Sequence, residues 1–397
     1  MTQEVIILTR SLPFHSLGGM EIVTWDLAQE LVRLGHKVRV ITTSLQGKPE
    51  EFEVEGVTIV ALKNTPSGRY SGAWWTESRQ YFEKNCMSST QSVLSVSAAG
   101  FGVLPLKQKL ANVPFVMQAH GTSWGEMISK MRSGNLRSML SALKNLAWFP
   151  KDLCAYQKFD TVIAVGERVY RDLRKSPIKW FLENKKVRLI NNGIDTNIFC
   201  PSLEGRQLIR NRLSINEQTP VIISASRLHE QKGVANCIKA FSELKQTMPN
   251  AIYMIAGDGP ERPALESLVC DLNIADSVHF IGSIDRKDLA HWLQSADAFL
   301  FLTTHVEGLP LNVLEALASG LPSVVSEHLM LFDSNSLHYT HPAQINATSE
   351  MLLDILKTES ANKTSTLPVM FSLRHAAQLY SEALSTTDIK SISHAHN

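Results

Sequence analysis

Two glutamates flank a segment that has the pattern of a helix start. Glu307 precedes this segment, and Glu315 lies within the helix that the pattern predicts. The first amides of a helix have no partner inside it and lie at the positive end of its dipole, so they can bind an anion. An ordinary core helix after an ordinary strand would have the same pattern. The residues at the predicted helix start are Gly308, Leu309, Pro310 and Leu311.

Proline and glycine set the limits of this helix. Pro310 suits the first turn, where its missing N–H would have had no partner. Gly320 suits the position just past the helix end, where φ can be positive. The sequence therefore predicts a helix over 310–319 that follows a strand-like run at 298–302.

The rest of the second half alternates between strands and helices. Arg227 and Lys232 follow its first predicted strand, and Gly257 follows its second. Ile281 ends the third. This alternation indicates a doubly wound parallel sheet, in which ligands bind at the carboxyl ends of the strands. Strands are predicted at 221–225, 251–256, 278–281, 298–302 and 323–326, and helices near 233–247, 261–272, 286–295 and 310–319.

The first half begins with a strand, a helix and a second strand. Gly18 and Gly19 stand at the start of that helix, where their backbone can approach a ligand closely, although for the pair taken alone a tight turn without a ligand is the favoured interpretation. His120 ends a later strand, at a position where such folds bind ligands, but a lone histidine can also be structural. Predicted elements are strands at 5–9, 38–42, 57–62, 92–97, 114–119, 161–165 and 187–190, and a helix at 22–34.

Composition limits the class of protein. The chain has 397 residues, 44% of them apolar and 19% charged, which is typical of two or three globular domains. No apolar run is long enough to span a membrane, and we expect no signal peptide, because a strand is predicted close to the N-terminus. Five scattered cysteines favour reduced thiols in a cytoplasm over disulfides or a zinc site.

Charge is distributed unevenly along the chain. Residues 1–200 carry 25 Lys and Arg against 17 Asp and Glu, whereas the remainder carries 14 against 21. Basic segments at 127–149 and 168–188 also contain Trp, Phe and Leu. Solvated helix faces are the simple explanation, and contact with an anionic membrane is the alternative. A nucleic acid would require a similar charge, but no binding motif accompanies it.

Taken together, these motifs resemble those of the retaining glycosyltransferases of family 4, which have the GT-B fold of two facing Rossmann-like α/β domains. The resemblance extends over almost the whole chain. It implies a first domain at 1–200, a nucleotide-sugar domain at 201–366, a terminal helix at 367–385 that returns to the first domain, and a tail at 386–397. The matching motifs are Gly18-Gly19-Met20-Glu21, His120-Gly121, Asn191-Asn192-Gly193-Ile194-Asp195, Ser226-Arg227-Leu228 with Lys232-Gly233, Gly257-Asp258-Gly259-Pro260, Phe280-Ile281-Gly282, and Glu307 with Glu315.

The resemblance also implies roles for these residues. The donor would be a nucleoside-diphosphate sugar of the UDP or GDP type, with no separate cofactor and no metal. Arg227 and Lys232 would hold its diphosphate, helped by the amides of 308–311 and by Gly18 and Gly19. Glu315 would accept hydrogen bonds from the ribose, and Gly257 and Ile281 would lie near the base. Glu307 and His120 would contact the sugar.

The implied reaction is transfer to a glycan acceptor, expected to be lipid-linked, in the synthesis of bacterial O-antigen, capsule or lipopolysaccharide. We expect a cytoplasmic enzyme that contacts the inner face of the membrane through its first domain. A sugar-nucleotide epimerase and a non-catalytic sugar-nucleotide-binding protein are the alternatives. The chain departs from the family pattern at Glu327–Ser334, where a glycine-rich segment is usual.

Overall fold

The computed structural model describes residues 3–16, 18–110, 112–121, 150, 153–183, 186–305, 308–358 and 363–385. The chain divides into two compact units. Unit 1 comprises Met1–Gly193 and Leu373–Asn397, and unit 2 comprises Ile194–Ser372.

Unit 1 contains an eight-stranded sheet in the order β3-β4-β2-β1-β5-β6-β7-β8. All its neighbouring strands are parallel except β3, which is antiparallel to β4. The predicted strands are confirmed, whereas β3 was not predicted. The strands are β1 Glu4–Leu8, β2 Lys37–Thr43, β3 Glu51–Val54, β4 Val57–Leu62, β5 Thr90–Val96, β6 Phe115–Ala119, β7 Thr161–Ala164 and β8 Val187–Leu189.

Both faces of this sheet are covered. Val5 and Ile7 of β1 contribute to the core that includes residues of α1 (Gly19–Arg33), while Ile6 and Leu8 contribute to the opposite core. This burial on two faces explains the continuous apolar run of β1. The opposite core includes Trp74 and Phe82 of α2 (Gly72–Asn85). α2 was not predicted, and it begins where Ser71 Oγ accepts a hydrogen bond from Trp74 N at 3.1 Å. A short α3 spans Glu167–Leu173.

Unit 2 contains a six-stranded parallel sheet in the order β11-β10-β9-β12-β13-β14. Its first five strands and the helices between them confirm the predicted alternation, and β14 and the helix after it were missed. The strands are β9 Val221–Ala225, β10 Ile252–Ala256, β11 Val278–Gly282, β12 Ala298–Phe301, β13 Ser323–Ser326 and β14 Leu337–Thr340. The helices are α4 Leu203–Arg212, α5 Val234–Thr247, α6 Arg262–Asp271, α7 Arg286–Ser295, α8 Leu311–Ala318 and α9 Ile345–Thr358.

A final helix, α10 (Leu373–Ser385), belongs to unit 1. It packs on α1 and β5, and its buried Ala376, Ala377 and Tyr380 complete the core on that face of the sheet. Unit 1 is therefore built from two separate segments of the chain, because its last helix comes from the C-terminal segment.

Candidate active site

The sheet of unit 2 reverses its strand order at β9. The chain runs from β9 outward to β10 and β11, and then returns to place β12 on the other side of β9. The loops that follow β9 and β12 therefore diverge at the carboxyl edge. Crevices at such reversal points are the usual ligand sites of open parallel sheets.

The loop after β9 carries both predicted phosphate-binding cations. Arg227 is exposed at its start, and Lys232 ends a short 3-10 turn with Nζ 5.7 Å from the centre of the Phe301 ring. The next residue, Gly233, has φ +66°, and a Cβ at this position would overlap the Leu302 carbonyl oxygen. Hydrogen bonds from Thr303 Oγ1 (2.8 Å) and Thr304 N (3.0 Å) to Gln231 O join this loop to the segment after β12.

The loop after β10 is tied to both of its neighbours. Ser226 N donates to Ala256 O at 3.0 Å, and Gly257 N donates to Gly282 O at 2.8 Å. Gly257 has φ +133°, and a Cβ there would overlap the Ser226 carbonyl oxygen. A glycine is thus required at 257 for backbone packing alone. Ile281 is half-buried on β11 beside this loop, and the contact of both residues with a base remains a prediction.

Helix α8 begins at the same edge. Asn312 Nδ2 donates to Ala225 O at 2.8 Å, which fixes the helix start against the end of β9. The prediction that Pro310 lies in the first turn was wrong by one position. Pro310 is the N-cap, because its carbonyl already accepts from Val313 N at 3.2 Å. Asn312 Oδ1 accepts from the same Val313 N at 3.0 Å. Gly320, just beyond the helix, has the predicted positive φ, at +78°.

Glu315 is buried in α8 and makes an ion pair. Its side chain is 8% exposed, and Arg286 Nε lies 3.1 Å from its Oε1. The Arg286 guanidinium also lies 5.0 Å from the centre of the Phe199 ring. The sequence did not single out Arg286, although it begins a helix directly after the loop of β11. The other predicted glutamate, Glu307, lies outside the described residues.

In unit 1 the glycine pair precedes the first helix. Gly18 is the N-cap of α1, with extended φ of −149°, and Gly19 is its first residue. A Cβ on Gly18 would overlap Oε2 of Glu21, whose other oxygen accepts from Ser11 Oγ at 2.6 Å. The missing side chain at 18 therefore leaves room for a buried carboxylate of the same chain.

His120 follows β6 and belongs to a chain of hydrogen bonds. Gln118 Nε2 donates to Tyr380 Oη at 2.8 Å, so Gln118 Oε1 is left to accept from His120 Nε2, 3.1 Å away. This assignment leaves His120 Nδ1 as an acceptor. Burial and the nearby charge of Arg10 lower the pKa of His120 to about 4, so its ring is neutral near pH 7.

The structure therefore brings Arg227, Lys232, Gly257 and the start of α8 to one edge of unit 2. Ile281 is on β11, the outer neighbour of β10 in that sheet. Gly18, Gly19 and His120 follow the carboxyl ends of β1 and β6 in unit 1, with β5 between those strands. Among the described residues, no group of acidic, histidine and cysteine side chains has the arrangement of a metal site.

Of the two basic segments, 127–149 lies outside the described residues. In the second, Ile178 and Leu182 are buried, whereas Trp180 is 73% exposed and Phe181 44% exposed. Along the chain, these two aromatic residues directly follow Lys179. Within the parts of the chain that the structure describes, no helix is long and apolar enough to cross a membrane.

The fold is that of the GT-B glycosyltransferases, with two α/β units that each contain a largely parallel sheet. The model of the glycosyl transferases group 1 matches residues 205–363, and the model of glycosyltransferase family 4 matches residues 17–198. Together they extend over most of the chain, which belongs to this family of glycosyltransferases.

Three comparisons illustrate the relationship. An uncharacterized glycosyltransferase of Methanocaldococcus jannaschii is 28% identical over 336 residues, which cover 81% of this chain and 80% of that protein. The alpha-monoglucosyldiacylglycerol synthase of Streptococcus pneumoniae is 24% identical over 324 residues, which cover 78% of this chain and 68% of that protein. The crystal structure of Anabaena HepE in complex with UDP and glucose is similar in fold, with a TM-score of 0.68, 18% identity, and coverage of 97% of this chain and 100% of that one.

Proposed function

We propose that this glycosyltransferase takes a sugar from a nucleoside diphosphate and transfers it with retention of the anomeric configuration. The observation that carries the proposal is the edge at the β9 reversal point. There the loop with Arg227 and Lys232 is hydrogen-bonded to the segment after β12, and Asn312 holds the start of α8 against β9. Two cations and a helix start form a site suited to a diphosphate.

Each part of the donor has a partner in this proposal. Arg227, Lys232 and the backbone N–H groups of Gly308, Leu309 and Leu311 bind the diphosphate. Gly18 and Gly19 are the residues of unit 1 assigned to the same group. Glu315 accepts from the ribose hydroxyls, and Gly257 and Ile281 lie near the base. Glu307 and His120 contact the sugar. A donor of the UDP type is supported by the HepE complex with UDP and glucose, and GDP is the alternative.

The mechanism is a front-face displacement. The bond from the anomeric carbon to the diphosphate oxygen breaks, and the acceptor hydroxyl oxygen forms its bond on the same face and passes its proton to the departing diphosphate. Arg227 and Lys232 stabilise the charge that develops on this leaving group. Donors placed in this way contribute roughly 3–4 kcal/mol each. Neutral His120 accepts a hydrogen bond at Nδ1 from a sugar hydroxyl, and no metal takes part.

The proposed acceptor is a glycan carried on a lipid, as in the synthesis of bacterial surface polysaccharides such as lipopolysaccharide, at the inner face of the membrane. Exposed Trp180 and Phe181 within the basic segment 168–188 support contact with an anionic surface. The Streptococcus relative is named for a lipid product, which supports an acceptor of this class. Co-sedimentation with phosphatidylglycerol vesicles at low and high salt tests the contact, and no binding at low salt would exclude it.

A thermal-shift screen with UDP, GDP, ADP and their sugars tests the donor. A nucleotide at 100 times its dissociation constant stabilises the protein by about 2.7 kcal/mol. Proton NMR of the product, with and without EDTA, then reports the anomeric configuration and any need for metal. An inverted product or loss of activity in EDTA would contradict the mechanism. A new sugar nucleotide formed without an acceptor would indicate an epimerase, and binding without turnover would indicate a non-catalytic protein.

A further inference from the structure

Arg286 joins two parts of the donor site in unit 2. It is the first residue of α7, which follows the loop from Ile281 and Gly282. Its Nε lies 3.1 Å from Oε1 of Glu315 in α8. Arg286 therefore connects the loop assigned to the base with the carboxylate assigned to the ribose.

The surroundings of Glu315 require such a partner. The residue is 6% exposed, and its neighbours along α8 are the buried side chains of Val313, Leu314, Ala316 and Leu317. A carboxylate in these surroundings is costly unless an opposite charge or several hydrogen bonds compensate for its lost hydration. The ion pair with Arg286 contributes to that compensation and favours one orientation of the carboxylate.

Arg286 is itself held from a second direction. Its guanidinium lies 5.0 Å from the centre of the Phe199 ring, and its side chain is only 18% exposed. Asp285 caps α7 by accepting from Asp288 N at 2.8 Å, which fixes the backbone from which Arg286 extends. A planar guanidinium between an aromatic face and a carboxylate has little orientational freedom.

We infer that Arg286 is a positioning residue that holds Glu315 in the orientation that binds the two ribose hydroxyls. This inference rests on the proposed function, in which Glu315 contacts the ribose. A carboxylate has about four acceptor sites, so a bond from Arg286 at one of them is compatible with hydroxyl donors at others. Arg286 thereby determines how well the enzyme distinguishes a ribonucleotide from its 2′-deoxy counterpart.

Titration calorimetry on the full chain tests this inference. Dissociation constants are measured for the pairs UDP and dUDP, GDP and dGDP, and ADP and dADP. For the base that binds best, we expect the wild type to favour the ribonucleotide by about tenfold or more, the effect of one hydrogen bond to a charged group. Arg286→Gln should lower this ratio to about threefold or less. Arg286→Lys should lie between, since it keeps the charge but lacks the planar fork.

The ratio separates positioning from a merely structural role, because lost structure weakens both nucleotides equally and leaves the ratio unchanged. Arg212→Gln is the matched control, since Arg212 lies 6.0 Å from the Trp292 ring of the same helix α7 and should not alter the ratio. The double variant Arg286→Gln/Glu315→Gln removes both buried charges, so it avoids an unpaired carboxylate. Its ratio should equal that of Glu315→Gln alone.

Two outcomes overturn different claims. If Arg286→Gln and Arg286→Lys both keep the wild-type ratio, or if the wild type binds nucleotides without distinguishing the deoxy forms, the inference is wrong. If the wild type binds no nucleoside diphosphate at all, the proposed function fails instead.

Discussion

The carboxyl edges of the two sheets are built by different means. In unit 2, backbone carbonyls are the common partners: Gly233 and Gly257 each lie against a carbonyl oxygen, with φ of +66° and +133°, and the side chains of Thr303 and Asn312 also donate to carbonyl oxygens. In unit 1, side chains make the connections, such as Ser11 with Glu21 and Gln118 with Tyr380. A framework made by the backbone leaves side chains such as Arg227 available to a ligand. In a framework made by side chains, the geometry of the site depends on hydrogen bonds to other parts of the unit and on the protonation state of His120.

The largest effect should follow from removing a cation of unit 2. Lys232→Ala should lower kcat roughly a hundredfold or more, since it removes charge stabilisation of the leaving group. Arg227→Ala should do the same. Steady-state kinetics with the donor found by thermal shift measures the effect.

Lys239→Ala provides the control, because Lys239 is an exposed lysine of α5 outside the loop. Near-normal turnover in Lys232→Ala would contradict the assignment of unit 2 as the diphosphate site.

The second prediction compares one glycine from each unit. Gly257→Ala requires a φ of +133° and an overlap with backbone, and should cost about 2 kcal/mol or more. Gly18→Ala keeps an allowed extended φ and displaces only the Glu21 side chain, so it should cost about 1 kcal/mol. Each kcal/mol lowers the melting temperature by roughly 2–4 °C in a domain of this size.

Differential scanning calorimetry of the full chain measures both variants. A shift for Gly18→Ala as large as that for Gly257→Ala would show that unit 1 is as dependent on close backbone packing as unit 2.

Local sequence patterns made the carboxyl edge of unit 2 predictable, but they did not reveal which side chains pair across the tertiary structure. Alternating strands and helices place Arg227, Lys232 and the start of α8 at the same edge of the sheet, independently of the contacts that their side chains make. The pair of Arg286 with Glu315 joins positions 29 apart, and that of Gln118 with Tyr380 joins positions 262 apart, so no short motif reveals them. Helix α2 was missed because its many polar residues hide the period of its apolar face.

The third prediction concerns the hydrogen-bond chain of unit 1. Tyr380→Phe removes the acceptor of Gln118 Nε2, and Gln118 is fully buried. A buried donor left without a partner costs about 1–3 kcal/mol. Calorimetry should detect this loss. Tyr81→Phe removes a hydroxyl that donates to the exposed Glu51 and accepts from Arg39, each at 3.2 Å. The loss should be smaller there, because Arg39 keeps its bonds to Glu4 and Glu51. Equal losses would mean that the chain to His120 contributes nothing beyond an ordinary hydrogen bond.

The smallest expected effect on stability comes from the titration of His120, a residue of unit 1. Its pKa of about 4, against an ordinary value near 6.5, should appear as the midpoint of its ring signals in NMR. Since the folded pKa is below the unfolded one, the unfolded chain binds more protons between these values. His120 therefore lowers the free energy of unfolding as pH falls from about 6.5 to about 4, and has no effect above pH 7.

The charge of Arg10 is the smaller cause of this shift, and burial is the larger. Arg10→Gln should therefore raise the pKa of His120 only part of the way toward its ordinary value, and Arg10→Lys, which keeps the charge, should leave it low. A midpoint near 6.5 in the wild type would instead mean that His120 is hydrated and charged in mildly acidic solution. In mildly acidic solution, protonation would then remove the hydrogen-bond acceptor at Nδ1. Unit 1 would carry a charged imidazolium beside Arg10 where we expect a neutral ring.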